Sequence, residues 1–64
     1  MNQRQFQTDH FRTKQLAQYW SISERTLERW RLIGKGPAFL KIEGCILYRI
    51  TDVLEYERRS AGRY

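Results

Sequence analysis

Apolar residues along this chain follow helical spacing, then alternation, then helical spacing again. Leu16, Ala17 and Trp20 fall on one helical face, with Lys14, Gln15 and Gln18 on the other. This pattern predicts an amphipathic helix with Thr13 as its N-cap. Leu27 and Trp30 then repeat at i, i+3 and predict a second helix facing the first. Between them Ser21-Ile22-Ser23 reads as a tight turn, with Ile22 as an apolar plug. Ser23 is placed to cap the second helix by accepting from the free amides near residues 25 and 26. Glu24 suits the positive end of that helix, and Arg31 and Lys35 lie near its negative end. Gly34 is placed for a left-handed C-terminal cap, and Pro37 prevents continuation.

Beyond Pro37 the pattern changes. Phe39–Ile42 and Cys45–Tyr48 are rich in strand formers, and Glu43-Gly44 between them is a two-residue hairpin signal. Phe39, Ile46 and Tyr48 alternate with Leu40, Ile42 and Leu47, so the hairpin carries apolar residues on both faces. Either one face awaits a partner, or a thin fold buries both. A lone hairpin is marginal in water, so it must lean on the helices. Thr51-Asp52 then caps a last helix from Val53 to Arg59, with Val53, Leu54 and Tyr56 available for packing. Residues 1–10 are polar and read as a flexible arm, with Phe11 or Phe6 folding onto the core; residues 60–64 read as a frayed tail. The ordered domain is thus expected over 11–59. Its expected core is Leu16, Ala17, Trp20, Ile22, Leu27, Trp30, Phe39, Ile46, Tyr48, Val53, Leu54 and Tyr56. Those aromatic residues could in principle stack on single-stranded bases, but their spacing favours packing.

Size and charge sharpen this picture. A chain of 64 residues makes one domain at most, so a few large side chains carry much of the stability. The formal net charge is +5, which favours polyanionic partners such as nucleic acid. Cys45 is the sole cysteine and His10 the sole histidine, which excludes an internal disulfide and a Cys/His zinc site. Cys45, within an apolar run, is expected to be a small buried or half-buried hydrophobe. No apolar run reaches membrane-spanning length, and the polar start Met1–Gln5 does not read as a signal peptide. A cytoplasmic location is expected, associated with the bacterial nucleoid when bound to DNA.

Catalysis finds no support in the residues. There is no Ser/His/Asp or Cys/His set and no phosphate-binding glycine loop. Glu55 and Glu57, two apart on a helix, point to different faces. The expectation is a non-enzyme without cofactor or metal.

The exposed face of the second helix carries the chemistry instead. Arg25 and Arg29 are four apart and share a face, and a bidentate arginine on guanine is the commonest specific base contact. A solvated helix with Glu24 and Glu28 in surface ion pairs would carry the same charges. The capped turn before it, with Leu27 and Trp30 reserved for packing, favours DNA. Glu24 and Glu28 repel phosphate, yet a glutamate also accepts from a cytosine amino group. Ser23 and Thr26 are placed to donate to phosphate near the helix N-terminus. Lys14, Arg31, Lys35, Lys41 and Arg49 are candidate backbone contacts, each of which also serves as a plain solubilising charge.

Four stretches together resemble the small winged helix-turn-helix family of phage and mobile-element excisionases and related regulators. They are Thr13-Lys14-Gln15-Leu16-Ala17, Ser23–Trp30, Gly36-Pro37-Ala38-Phe39 and Tyr48-Arg49-Ile50-Thr51-Asp52. The resemblance spans Phe11 to Arg59. It implies a mainly α fold with a small β-hairpin: a helix-turn-helix, a two-stranded wing and a C-terminal helix. It implies a recognition helix in the major groove of duplex DNA and a wing reaching a neighbouring groove or the backbone. It also implies work as a recombination directionality factor beside a site-specific integrase, or as a transcriptional regulator. A protein-interaction adaptor using the same fold is the rival from another class. The family's habit of acting as several copies implies a monomer in solution that assembles cooperatively, head to tail, on tandem sites. Two departures stand out. The wing tip is Glu43-Gly44-Cys45 where many relatives resemble Gly-Arg-Arg, and an acidic tip is a poor minor-groove probe. Tyr56-Glu57 stands where relatives often have Trp-Leu, so the last helix is expected to pack less deeply.

Overall fold

A computed structural model describes residues 9–60. The elements run β1 (His10–Arg12), α1 (Thr13–Trp20), α2 (Glu24–Ile33), β2 (Leu40–Ile42), β3 (Cys45–Arg49) and α3 (Ile50–Ser60). The chain is mainly helical with a small antiparallel sheet, the architecture of a winged helix-turn-helix. Residues 1–8 of the expected arm, Phe6 among them, and 61–64 of the expected tail lie outside the described residues, while Ser60, expected in the tail, closes α3.

The α1–α2 unit forms as its spacing demands. Ser21 takes a left-handed backbone, φ 59°, after the last turn of α1. This lets the Ile22 amide donate to the Ala17 carbonyl at 2.9 Å and the Ser21 amide donate to Gln18 at 3.2 Å. That paired C-terminal cap redirects the chain and turns Ile22 back onto the core. Ser23 Oγ then accepts from the Thr26 amide at 3.1 Å and opens α2. Gly34, φ 74°, closes α2, and the Lys35 amide donates back to Trp30 at 2.8 Å.

Two helix starts differ from expectation. The N-cap of α1 is Arg12, not Thr13, and Gln15 Oε1 accepts from the Arg12 amide at 2.8 Å. The reason is a strand that the sequence pattern does not disclose. β1 runs straight into α1, so its last extended residue serves as the cap. His10, expected in the arm, is therefore part of the sheet. α3 likewise begins at Ile50, directly after β3, rather than at Val53. Asp52 lies in its first turn, where it accepts from Arg49 Nε at 3.2 Å.

The sheet order is β1-β3-β2, all antiparallel. Ile42 pairs with Cys45 across the expected Glu43-Gly44 turn, and both turn residues have positive φ, as a tight primed hairpin turn requires. Phe11 lies opposite Tyr48, and both join the core. Leu47 lies opposite both Arg12 and Leu40, which places it on the other face of the sheet.

Leu16, Ala17, Leu27, Tyr48 and Val53 form the fully buried core, with Phe11, Trp20, Ile22, Trp30 and Ile46 packed on it. Three expected core or buried residues are not buried. Leu54 is 50% exposed because Val53, one position earlier on α3, takes the inward direction and successive helical side chains diverge by about 100°. Phe39 is 40% exposed, since it precedes β2 and covers the edge of the core rather than its centre. Cys45 is exposed because it begins β3 beside the hairpin turn, on an open recess that it shares with the first turn of α1 rather than in the core.

Around the core, Trp20, Trp30 and Tyr56 form an aromatic triangle joining all three helices. Ring centroids are 6.4 Å apart for Trp20–Trp30, 5.8 Å for Trp20–Tyr56 and 6.1 Å for Trp30–Tyr56. The Trp20 indole N–H donates to Glu57 Oε2 at 2.6 Å, so α3 is tied to α1 by a polar contact as well as by its apolar face. Gly36 lies against the Trp30 ring so closely that a Cβ there would meet Cε3 at 2.9 Å.

Trp30→Ala removes one corner of the triangle and the surface against which Gly36 packs. The loss should be about 3–5 kcal/mol. A 64-residue domain holds only on the order of 3–10 kcal/mol in all. Thermal melting should therefore show a midpoint lowered by about 12–40 °C. A mutant that melts like the parent would refute this role for Trp30.

Candidate nucleic-acid interface

α2 presents two unlike sides. Leu27 is buried, and Trp30 and Arg31 are half-buried against the rest of the fold. Arg25, Glu28 and Arg29 lie on the opposite side and are exposed, with Glu24 exposed at the helix start. Ser23 stays at the cap, and its hydroxyl also lies 3.0 Å from that of half-buried Thr26. One of these hydroxyls donates to the other, which leaves one hydroxyl hydrogen free, while Ser23 Oγ holds the helix start in place by accepting from the Thr26 amide. The helix N-terminus keeps free amides in its first turn, and with the adjacent arginines it forms a positive entry point.

Arg25 and Arg29 are not consumed by neighbouring carboxylates. Among the described residues the ion pairs are Arg49–Asp52 at 3.2 Å and Arg58–Glu55 at 3.1 Å, both away from α2. Arg25, Thr26, Arg29 and Trp30 line a shallow open recess of about 170 Å³. The arginines can therefore extend from a rigid base toward an external acceptor.

The candidate backbone contacts separate into different situations. Lys14, in the first turn of α1, is exposed and borders a recess shared with Gly44 and Cys45 of the wing. Lys41 is exposed on β2. Lys35 is exposed just past α2, with its ammonium 5.8 Å from the centre of the Trp30 ring. Arg49 is exposed but bonded to Asp52. Arg31 is different. Its Nη1 donates to the Tyr48 hydroxyl at 2.6 Å and to Thr13 Oγ1 at 3.3 Å, and its guanidinium lies 5.7 Å from the centre of the Phe39 ring. Arg31 thus joins α2 to α1 and β3, and these contacts hold the wing against α2.

Reasoning from sequence left out two residues on this surface. Leu32 and Ile33 are 85% and 64% exposed at the end of α2. The signal was present in the spacing, because Leu32 is seven residues beyond Arg25 and therefore shares its face.

A capped, basic helix held out from a three-helix core, with a hairpin beside it, defines a small helix-turn-helix module of the DNA-binding kind. The chain matches the helix-turn-helix domain family over residues 11–61 and belongs to that family, which is typical of excisionase-like small DNA-binding proteins. Neither a curated protein nor a solved structure matches it. The family is typically non-enzymatic. Among the described residues no helix is long and apolar enough to cross a membrane, and no group of three or more His, Cys, Asp or Glu is placed to hold a metal.

The Arg31 contacts yield a test of structure against recognition. Arg31→Ala leaves the buried Tyr48 hydroxyl without its donor and should cost about 1–3 kcal/mol. The double variant Arg31→Ala/Tyr48→Phe should lose less than the sum of the single losses, because its members share one contact. Urea denaturation of the three variants measures this. Strictly additive losses would mean that the hydrogen bond contributes nothing.

Proposed function

We propose that this protein binds duplex DNA sequence-selectively and acts as an excisionase, a recombination directionality factor that assists a site-specific integrase in excising a mobile element. The observation that carries the reading is the exposed Arg25–Arg29 face of α2, without an ion pair among the described residues and set on a helix capped at both ends. Membership of a family typical of excisionase-like proteins supports the more particular role. In the proposed complex α2 enters the major groove. Arg25 and Arg29 donate to guanine edges, while Glu24 and Glu28 accept from cytosine amino groups within reach. Ser23 and the first amides of α2 approach a phosphate, and Lys14, Lys35, Lys41 and Arg49 add backbone attraction. The protein works in the bacterial cytoplasm, on the nucleoid.

One short helix buries little surface, so selective occupancy is proposed to need several copies side by side. The outer sheet face supports this. Ile42 is half exposed beside half-buried Leu40 and Leu47, leaving apolar area for a neighbouring copy on tandem sites.

Arg25→Ala and Arg29→Ala should each cost about 1–3 kcal/mol on a selected duplex and relax selectivity at particular base pairs. Lys35→Ala should weaken all sequences about equally. Fluorescence anisotropy over a salt series distinguishes the two patterns. Arginine variants that bind like the parent would remove α2 as the recognition helix. Absence of salt-dependent duplex binding would favour a protein-interaction adaptor.

Gel-shift titration on one-site and tandem-site duplexes should show a monomer filling adjacent sites cooperatively. Independent filling, with no gain over one site, would favour a simple operator-binding transcriptional regulator.

A further inference from the structure

The most exposed large apolar side chain among the described residues is Leu32, at 85%. A single exposed leucine is ordinary on a protein surface. What distinguishes Leu32 is its position. It follows Arg25 at i+7, Glu28 at i+4 and Arg29 at i+3, so these four side chains form one stripe along α2. The inward side of the helix is already filled by Leu27, Trp30 and Arg31, and among the described residues no element covers Leu32. Ile33, also exposed, extends the apolar end of the stripe.

We infer that Leu32 is a specificity-determining residue that packs on the C5-methyl group of a thymine in the major groove. The inference rests on the proposed reading of α2 as the recognition helix and adds to it an apolar contact that hydrogen-bonding residues cannot supply. Thymine alone among the four unmodified bases presents a methyl group in the major groove, and aliphatic side chains recognise it by contact. The two arginines on the stripe and Lys35 beyond it favour a polyanion as the occupant of this face over an apolar protein surface. Seven residues of helix advance about 10 Å, or about three base-pair steps at 3.4 Å each. Leu32 therefore addresses a thymine no more than about three base pairs from the guanine addressed by Arg25.

The test uses the full chain and a duplex selected from a random pool. Each thymine is replaced in turn by deoxyuridine, which keeps every hydrogen-bonding group and removes only the methyl. Wild type should lose about fourfold in affinity at one or two positions, the size expected for one buried methyl. Leu32→Ala should bind the parent duplex about fourfold more weakly and be indifferent to deoxyuridine at those positions. Its salt dependence should equal that of wild type, because an apolar contact releases no counterions. Leu54→Ala, which removes a half-exposed leucine from α3, should keep the deoxyuridine sensitivity. If wild type ignores every deoxyuridine while Arg25 and Arg29 remain essential, the thymine contact is overturned and the recognition helix stands. Sensitivity that persists unchanged in Leu32→Ala overturns it equally. If no duplex is bound selectively, the recognition-helix reading falls and the inference with it.

Discussion

The hydroxyl of Tyr48 sets the terms for the rest of this small fold. Tyr48 is only 1% exposed, which places a polar oxygen where water cannot satisfy it. Arg31 from α2 supplies the donor at 2.6 Å, Thr13 of α1 accepts from the same nitrogen, and Phe39 packs beside the guanidinium. One side chain thereby connects α2, α1 and the wing. A domain this size has too little apolar area for a second independent core, so a shared polar contact fixes the orientation that packing alone would leave loose.

That arrangement divides the basic residues of α2 between two tasks. Arg25, Arg29 and Arg31 look alike in sequence, being spaced four and two apart. Helical geometry turns the third toward the core while the first two face outward. The proposed recognition by α2 would depend on a helix whose inner side is rigid. Trp30, held by Trp20, Tyr56 and the close approach of Gly36, gives that rigidity at the end of α2 opposite the Ser23 cap. A rigid base matters because a bidentate contact to a base edge tolerates little displacement of the arginine.

Electrostatics along the interface are graded rather than uniform. The first turn of α2 combines free amides with Arg25, the middle carries Glu28 and Arg29, and the end becomes apolar at Leu32 and Ile33 before Lys35 restores positive charge. Such a graded face suits recognition of base edges more than simple attraction to phosphate, since phosphate attraction needs only charge. The wing presents a different character. Its tip is Glu43-Gly44, held by a turn in which both residues have positive φ, and its outer side is apolar.

Local physical chemistry made much of this legible in the sequence alone. The two helices, the Ser21–Ser23 turn, the Ser23 and Gly34 caps and the Glu43-Gly44 hairpin all depend on neighbours within about four residues. Spacing and residue type therefore determined them. So did the inward placement of Leu16, Leu27, Trp30 and Val53. Only the tertiary structure decided the rest, because it depends on partners far along the chain. β1 exists because His10–Arg12 meets a free edge of β3, and three residues carry no readable period. That pairing moved the cap from Thr13 to Arg12. Leu54 turned outward because Val53 met the core first. Phe39 stayed at the margin because it precedes β2, and Cys45 because it lies beside the hairpin turn. Arg31 became a tie within the fold because Tyr48, seventeen residues away, brought it a buried oxygen to satisfy.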